Sequence, residues 1–421
     1  MNPSALKAGG GCGHDGPALP LEQARERILE QVDAVAGRER LNLRDALGRV
    51  LAEPVSAAID VPNHTNSAMD GYAVRAADLA EPGGQLHEVG ESFAGHPFDG
   101  EVGSGECVRI MTGAVLPAGA DSVVMQERTE RDRDRVRFME ACKSGANVRA
   151  AGEDVACGQT VFEAGRRIGS ADLGVLASVG AAEVAVFSRA RVAFFSTGDE
   201  IVPVGEPLPP GKIHDSNRHT LFGLLSELGV EIHDLGIVPD VPEALDDAFQ
   251  RACEFDAVLT TGGVSVGAAD YVLEALEKVG SVGFWQVAMK PGRPLAFGRL
   301  GKALFFGLPG NPVSAMVTFI QLVRPALVKL AGARPAAALA FEIPTRRPIR
   351  KKAGRREFQR GRLVSNEHGL AVEPFGHQGS GVLRSMSEAN CLINLSPDQG
   401  NVEAGAPVTV EPFAQPVWNG D

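Results

Sequence analysis

Apolar positions along the chain change period from one stretch to the next. From Leu21 they recur at helical spacing through Ile28, Leu29 and Val32, and a second helical turn is predicted around Leu43 to Val50. Past Pro54 the pattern becomes short alternating runs between Gly and Pro, which predicts a β-rich module reaching about Arg149. Within it, the mixed-sign Arg131-Asp132-Arg133-Asp134-Arg135 suits a hairpin tip in water. Gly152 to Phe187 returns to helix and short strands, as if completing the module begun before Pro54. From residue 190 to 332, apolar strands alternate with amphipathic helices. Strands are predicted at Arg191–Ser196, Val230–Val238, Ala257–Thr261, Val282–Ala288 and Ala303–Gly307. Helices are predicted at Ser216–Leu228, Pro242–Cys253, Ala269–Lys278 and from Pro312 onward. This alternation predicts a doubly wound, largely parallel sheet. The last helix is apolar all round and therefore buried. Pro325 should kink it, because it lacks a backbone donor and crowds the carbonyl of Gln321. Ala336 to Phe413 reads as a small β-barrel or sandwich.

The expected fold is thus multidomain α/β plus β. Residues 1–17 form a disordered tail, and 18–56 with 151–188 a discontinuous linker domain of helix and strand. Residues 57–150 are a β-rich insertion, 189–334 the α/β domain and 335–414 a C-terminal β-barrel. Composition adds two exclusions. A formal charge of −12 argues against nucleic acid as the main partner, because phosphate binding needs a basic footprint. The six cysteines form no C-x-x-C pair, so a zinc knuckle or dithiol is not indicated, and free thiols in the reducing cytoplasm are expected. Cys12 and His14 in the tail are two ligands and do not make a metal site. The 21 uncharged residues from Ala303 to Val323 raise the question of a membrane span, but Pro309-Gly310-Asn311-Pro312 breaks them into strand, turn and buried helix. No membrane partner is expected.

In a parallel sheet every strand delivers its C-terminal end to one edge, and ligands bind there. The segments that leave the strands at this edge are Ser196-Thr197-Gly198-Asp199-Glu200, Val238-Pro239-Asp240, the loop from Thr261-Gly262-Gly263-Val264-Ser265 to Asp270, and Gly307-Leu308-Pro309-Gly310-Asn311-Pro312. Two of these loops are glycine-rich and open into helices, so they point free N–H groups at an anion. Pro312 suits the first helical position, with Asn311 as cap. Asp199, Glu200, Asp240 and Asp270 share that edge, as they would if Mg²⁺ lay between carboxylates and a phosphate. Each alone has a plainer reading, as a helix cap or a tight turn. Their convergence points to chemistry. Lys290 and Arg293, on a turn flanked by prolines, suggest a second anion, although alone they read as an exposed turn. Asp70 in Asn66-Ser67-Ala68-Met69-Asp70-Gly71-Tyr72-Ala73 reads as a satisfied turn residue. The stretch Arg346–Arg362, with nine basic residues and one acid, reads mostly as a solvated β surface. No nucleophilic Ser-His or Cys-His arrangement suggests itself.

These strings, with Arg109-Ile110-Met111-Thr112-Gly113-Ala114, Gly152-Glu153-Asp154, Glu357-Phe358-Gln359-Arg360-Gly361 and Gly376-His377-Gln378-Gly379-Ser380, resemble the molybdopterin molybdenumtransferases, the family of MoeA proteins and the gephyrin E domain. The likeness runs in order over about residues 20–413. It implies a molybdopterin-binding α/β fold and a role in molybdenum cofactor biosynthesis. In that reaction adenylylated molybdopterin is cleaved with Mg²⁺ or Zn²⁺, molybdate enters the dithiolene and AMP leaves. It also implies a cytoplasmic homodimer with composite active sites and transient contact with other proteins of the pathway. Carried over by motif, Asp70 and Thr112 would face the site from the partner subunit, with Asp154 as a functional carboxylate nearby. Glu200, Asp240 and Asp270 would serve metal and phosphate. Gly262, Gly263, Ser265, Pro309, Gly310, Asn311 and Pro312 would line the substrate, and Lys290, Arg293, Ser314, Arg360 and Ser380 would serve the anions. Gln286, after Trp285, stands where some relatives carry a basic residue. Two alternatives are a molybdopterin adenylyltransferase of the same domain fold and a dimeric scaffold of the gephyrin type. A single-domain chain preferring ATP would mark the first, and lack of turnover the second.

Overall fold

The computed structural model describes residues 18–262, 276, 278, 280–367 and 369–413. Two compact units divide the chain: residues 38–186 form one, and the flanking segments together form the other.

The larger unit is built on a six-stranded sheet in the order Glu231–Val238, Arg191–Thr197, Ala257–Thr261, Ala303–Leu308, Pro294–Leu300, Gly280–Gln286. The first four strands are mutually parallel, in register from Val192 against Ala257 to Thr261 against Leu308. Pro294–Leu300, which the sequence pattern does not single out, runs antiparallel to both its neighbours. Gly280–Gln286 therefore points the same way as the parallel strands, and the Lys290–Arg293 turn returns at their carboxyl edge. Strand residues alternate faces, and both faces are covered. Phe194, Leu259 and Phe306 pack beneath Ser216–Leu228 and the Pro312–Leu330 helix, while Phe195, Val258 and Phe305 meet Pro242–Ala252. The expected helix at Ala269–Lys278 lies mostly outside the described residues.

The N-terminal helix Leu21–Glu30 buries Leu21, Ala24 and Ile28 in this same core. Sequence texture groups it with residues 151–188. Tertiary packing, which texture does not encode, places it on the α/β core instead. Pro312–Leu330 is long and apolar enough to cross a membrane, yet 72% of its apolar window is buried inside the protein. At Pro325 it does not break. Residues Phe319–Val323 widen into a π-helical turn between two α-helical stretches. The Gln321 carbonyl, denied a donor by Pro325, accepts from Arg25 Nε at 3.1 Å.

Five strands of the C-terminal segment, Phe341–Pro344, Arg356–Asn366, Gly369–Pro374, Cys391–Leu395 and Pro407–Pro412, form an antiparallel sheet that a Thr345–Val372 bridge closes into a barrel. Met289–Lys290 pairs with Arg356–Glu357 and ties this barrel to the α/β sheet.

In the smaller unit, residues 38–56 pair with 160–187 through Arg38–Asn42 against Glu183–Phe187 and Val55–Ser56 against Thr160–Phe162. Between them lies a six-stranded mixed sheet in the order Ser122–Met125, Gly71–Val74, Glu106–Ile110, Gln85–Ser92, Arg135–Phe138, Thr129–Asp132. The mixed-sign segment is a hairpin with Asp132 opposite Arg135. Cys107, Cys142, Cys157, Cys253 and Cys391 are free thiols.

Candidate active site at the carboxyl edge of the parallel sheet

The order of the parallel strands reverses between Arg191–Thr197 and Ala257–Thr261, which makes their carboxyl ends the natural crevice. Gly262 closes the second of these strands with φ +85°. A Cβ there would lie 2.1 Å from the Thr197 carbonyl oxygen, so only glycine lets the two strand ends approach. Gly310 abuts it, since its ideal Cβ position is 3.9 Å from Gly262 Cα. Gly262 and Gly310 therefore lie side by side. Pro312 takes the first turn of its helix, as expected. Asn311 stands at the cap position but makes no side-chain cap. Its carbonyl accepts from Ala315 N at 2.9 Å instead.

Around this crevice, buried polar atoms lack partners. Asp215 caps helix Ser216–Leu228 on Arg218 N at 3.1 Å and accepts from Ser196 Oγ at 3.1 Å. Asn217 donates to the Gly310 carbonyl at 2.7 Å, which leaves its own Oδ1 buried and unpaired. Thr197 and Thr260, each 2% exposed, have unpaired hydroxyls. They follow Phe195 and Val258 on the face that carries Pro242–Ala252. Asp240 Oδ1 is likewise unpaired. Burial, and then the negative charges of Asp199 and Glu200, raise the Asp240 carboxyl above its ordinary range. Asp270, Gly263 and Ser265 lie outside the described residues. Among the described residues no three acids, histidines or cysteines come together as a complete metal cage.

The cations sit in two settings. Lys290 Nζ pairs with the buried Glu357 at 3.0 Å, and Arg293 donates to Gln286 Oε1 at 2.5 Å. Gln286 thus holds the neighbouring arginine where a basic residue would repel it. Arg360 is 1% exposed. Its Nε donates to Ser385 Oγ, and its Nη2 to the carbonyls of His377 and Gly379 at 3.3 and 3.0 Å. Most of the basic run is exposed, but Lys351 and, near its end, Arg360 are buried. Burial lowers the Arg360 pKa to about 10, and the nearby negative charge of Glu357 offsets only part of that. Nη1 makes no hydrogen bond among the described residues. The held loop continues to Ser380, whose carbonyl accepts from Val313 N at 3.0 Å, next to the buried Ser314.

In the smaller unit, Asp70 Oδ1 accepts from both the amide and the hydroxyl of Thr112, each at 2.7 Å. Those two bonds hold its exposed carboxyl below the usual range. Asp154 lines a separate cleft of ≈ 440 Å³ with Val61, Pro62, Asn66, Arg149 and Glu153.

The sequence matches the MoeA N-terminal region (domain I and II) over residues 19–180, a probable molybdopterin binding domain over 193–329 and the MoeA C-terminal region (domain IV) over 342–413. A molybdopterin molybdenumtransferase of Haemophilus influenzae is 46% identical over 399 residues, 94% of this chain and 98% of that protein. The chain belongs to the MoeA family of molybdopterin molybdenumtransferases. A molybdopterin molybdenumtransferase of Nostoc sp. is 38% identical over 75% of this chain and 76% of its own length. The crystal structure of a molybdopterin biosynthesis moeA protein from Pyrococcus horikoshii aligns with a TM-score of 0.81 at 29% identity, covering 94% of this chain and 100% of that one.

The multidomain α/β plus β fold expected from the motifs is therefore that of the MoeA family, a family of transferases in molybdenum cofactor biosynthesis. Motif reading missed Thr197, Asp215, Asn217 and Thr260 as site residues. Their one signal is small polar residues at the ends of otherwise apolar strands and at a helix start, a common pattern with many meanings.

Proposed function

We propose that the chain inserts molybdate into adenylylated molybdopterin and releases AMP, with Mg²⁺ or Zn²⁺ required. One observation carries this reading. At a single sheet edge, Asp240 with Asp199 and Glu200 accompanies the Gly262–Gly310 approach and a cluster of unpaired buried oxygens. The donor set suits a hard divalent cation, because Asp240 offers an unpaired, desolvated carboxylate oxygen and Glu200 a neighbouring one. With Asp270 these residues would hold it, and the bound ion would supply charge neutralisation at the phosphoanhydride.

The protein's own groups do the rest. Gly262 and Gly310 let backbone approach the phosphates closely. Arg360 Nη1, with Ser314, Ser380 and the N–H groups that Lys290 and Arg293 keep beyond their bonds to Glu357 and Gln286, would offer donors to the compact molybdate dianion. Three of the Arg360 donors are spent on Ser385 and the 377–379 loop, which would hold Nη1 rigidly for this role. Asp70 and Thr112 are read as facing the site from the second copy of a homodimer. The match to all three family regions favours this activity over a single-domain adenylyltransferase. The test is AMP release from adenylylated molybdopterin by the purified chain. Release that needs both molybdate and a divalent cation supports the reading, and no release under those conditions rejects it.

A further inference from the structure

The cleft in the smaller unit has a chemistry of its own. Asn66 pairs directly with Arg149 in a short antiparallel ladder, and the next turn brings Glu153 and Asp154 beside Val61 and Pro62. That turn is fixed. Gly152 N donates to the Pro62 carbonyl, and Asp154 N to the Val61 carbonyl, each at 2.9 Å. Gly152 holds φ +72°, where a Cβ would meet Asp60 Oδ1 at 2.9 Å. Glu153 is already used, accepting from Ala150 N at 3.1 Å. The other three polar groups are not. Asn66 is 7% exposed, and its Nδ2 donates to the His64 carbonyl, so a buried Oδ1 is left without a donor. Arg149 and Asp154, both exposed at the mouth of the cleft, form no ion pair and no side-chain hydrogen bond among the described residues.

We propose that this cleft seats the 2-amino-4-oxopyrimidine edge of a pterin. That edge presents two adjacent N–H donors, on the ring nitrogen and the exocyclic amine, followed by a carbonyl oxygen. A carboxylate matches the two donors side by side, and a guanidinium matches the carbonyl. Asp154 and Arg149 supply these two groups, Asn66 Oδ1 takes the second amine hydrogen, and Val61 with Pro62 offers an apolar wall to the ring face. A volume of ≈ 440 Å³ falls within the usual range for small-ligand pockets. The assignment rests on the pterin substrate and the shared site proposed above. It adds that the pterin end is held by residues of the smaller unit.

The experiment titrates 6-hydroxymethylpterin into the full-length protein by pterin fluorescence. The 2,4-dioxo analogue 6-hydroxymethyllumazine and GMP run in parallel. Wild type should bind the pterin at least tenfold more tightly than the lumazine, which turns an acceptor toward Asp154. D154N should lose that discrimination, and R149M should weaken the pterin at least tenfold. E130Q, on the exposed hairpin, should bind like wild type. Where D154N fails to fold, the wild-type comparison and R149M decide. Equal binding of pterin and lumazine, no pterin binding, or D154N and R149M that bind like wild type would each overturn the proposal. GMP bound as tightly as pterin through the same residues would assign the cleft to a guanine base instead. Molybdate-dependent AMP release alongside pterin binding indifferent to Asp154 and Arg149 sinks this subsite alone. Intact pterin binding without AMP release sinks the catalytic reading alone.

Discussion

At the scale of single residues, the decisive features are groups whose local needs are not met. Asp240 has a carboxyl raised by burial and then by Asp199 and Glu200, so folding disfavours its charged form. An acid with a raised folded-state pKa costs stability once the pH climbs through its ordinary range, and costs nothing below it. D240N should therefore melt at or above the wild-type temperature at pH 7 without divalent cation, and the gap should close as the pH falls below the carboxylate range. Mg²⁺ should raise the melting temperature of wild type more than that of D240N. Equal Mg²⁺ shifts in the two proteins would remove Asp240 from the cation site. Arg360 gives a second case. Charge-assisted hydrogen bonds contribute about 1.5–3 kcal/mol each, so R360A should weaken molybdate by roughly one to two decades. R360K should fail to restore it, because an ammonium cannot hold Ser385, His377 and Gly379 while also presenting a fork. Separate titrations of molybdate and pterin check this. A collapse of pterin affinity with molybdate unchanged would put the oxyanion elsewhere.

At the scale of elements, the helix from Pro312 shows how a local defect is repaired by a distant segment. Pro325 removes the donor that the Gln321 carbonyl would have received, the helix opens into a π turn, and Arg25 supplies the missing bond. Arg25 also donates to Gln321 Oε1 at 2.8 Å, and Gln321 in turn donates to Glu411 at 2.7 Å. The N-terminal helix, the buried helix and the barrel are thereby joined by one polar chain. R25A should cost about 1–3 kcal/mol, the usual penalty for leaving a buried acceptor unmet. In a P325A background the cost should shrink, because an alanine in place of the proline restores a backbone donor near that carbonyl. A double-mutant cycle in urea measures the coupling, and strict additivity would show that the arginine does not compensate for the proline. The proline's consequence was legible in the sequence as a disturbance at Gln321. Its form was not, because the choice between a kink and a π turn depends on whether a donor 296 residues away reaches the carbonyl.

At the scale of the whole molecule, the homodimer proposed for the active site makes a prediction of its own. If Asp70 serves the site of the other copy, mixing inactive D70A subunits with inactive D240A subunits should restore part of the AMP-releasing activity, since each heterodimer holds one intact composite site. Heterodimers shown to form but to remain inactive would rule out sharing. Sedimentation of a fully active monomer would do the same.

The sequence alone determined the parallel strands, the helices Ser216–Leu228 and Pro242–Ala252 and the edge at which loops collect, because hydrophobic period and Gly and Pro placement act locally. Motif strings also sufficed for the family. Tertiary structure decided which charges are already spent. Lys290 is paired with Glu357, and Gln286 with Arg293, while Arg360 is buried as the brace of the 377–380 loop. It also decided which groups stay unmet, Asn66, Asn217, Thr197, Thr260 and Asp240 among them. The physical reason is that hydrogen-bond satisfaction is a property of neighbours in space. Residue types along a chain give the inventory of donors and acceptors, and only packing shows which of them are left for a substrate.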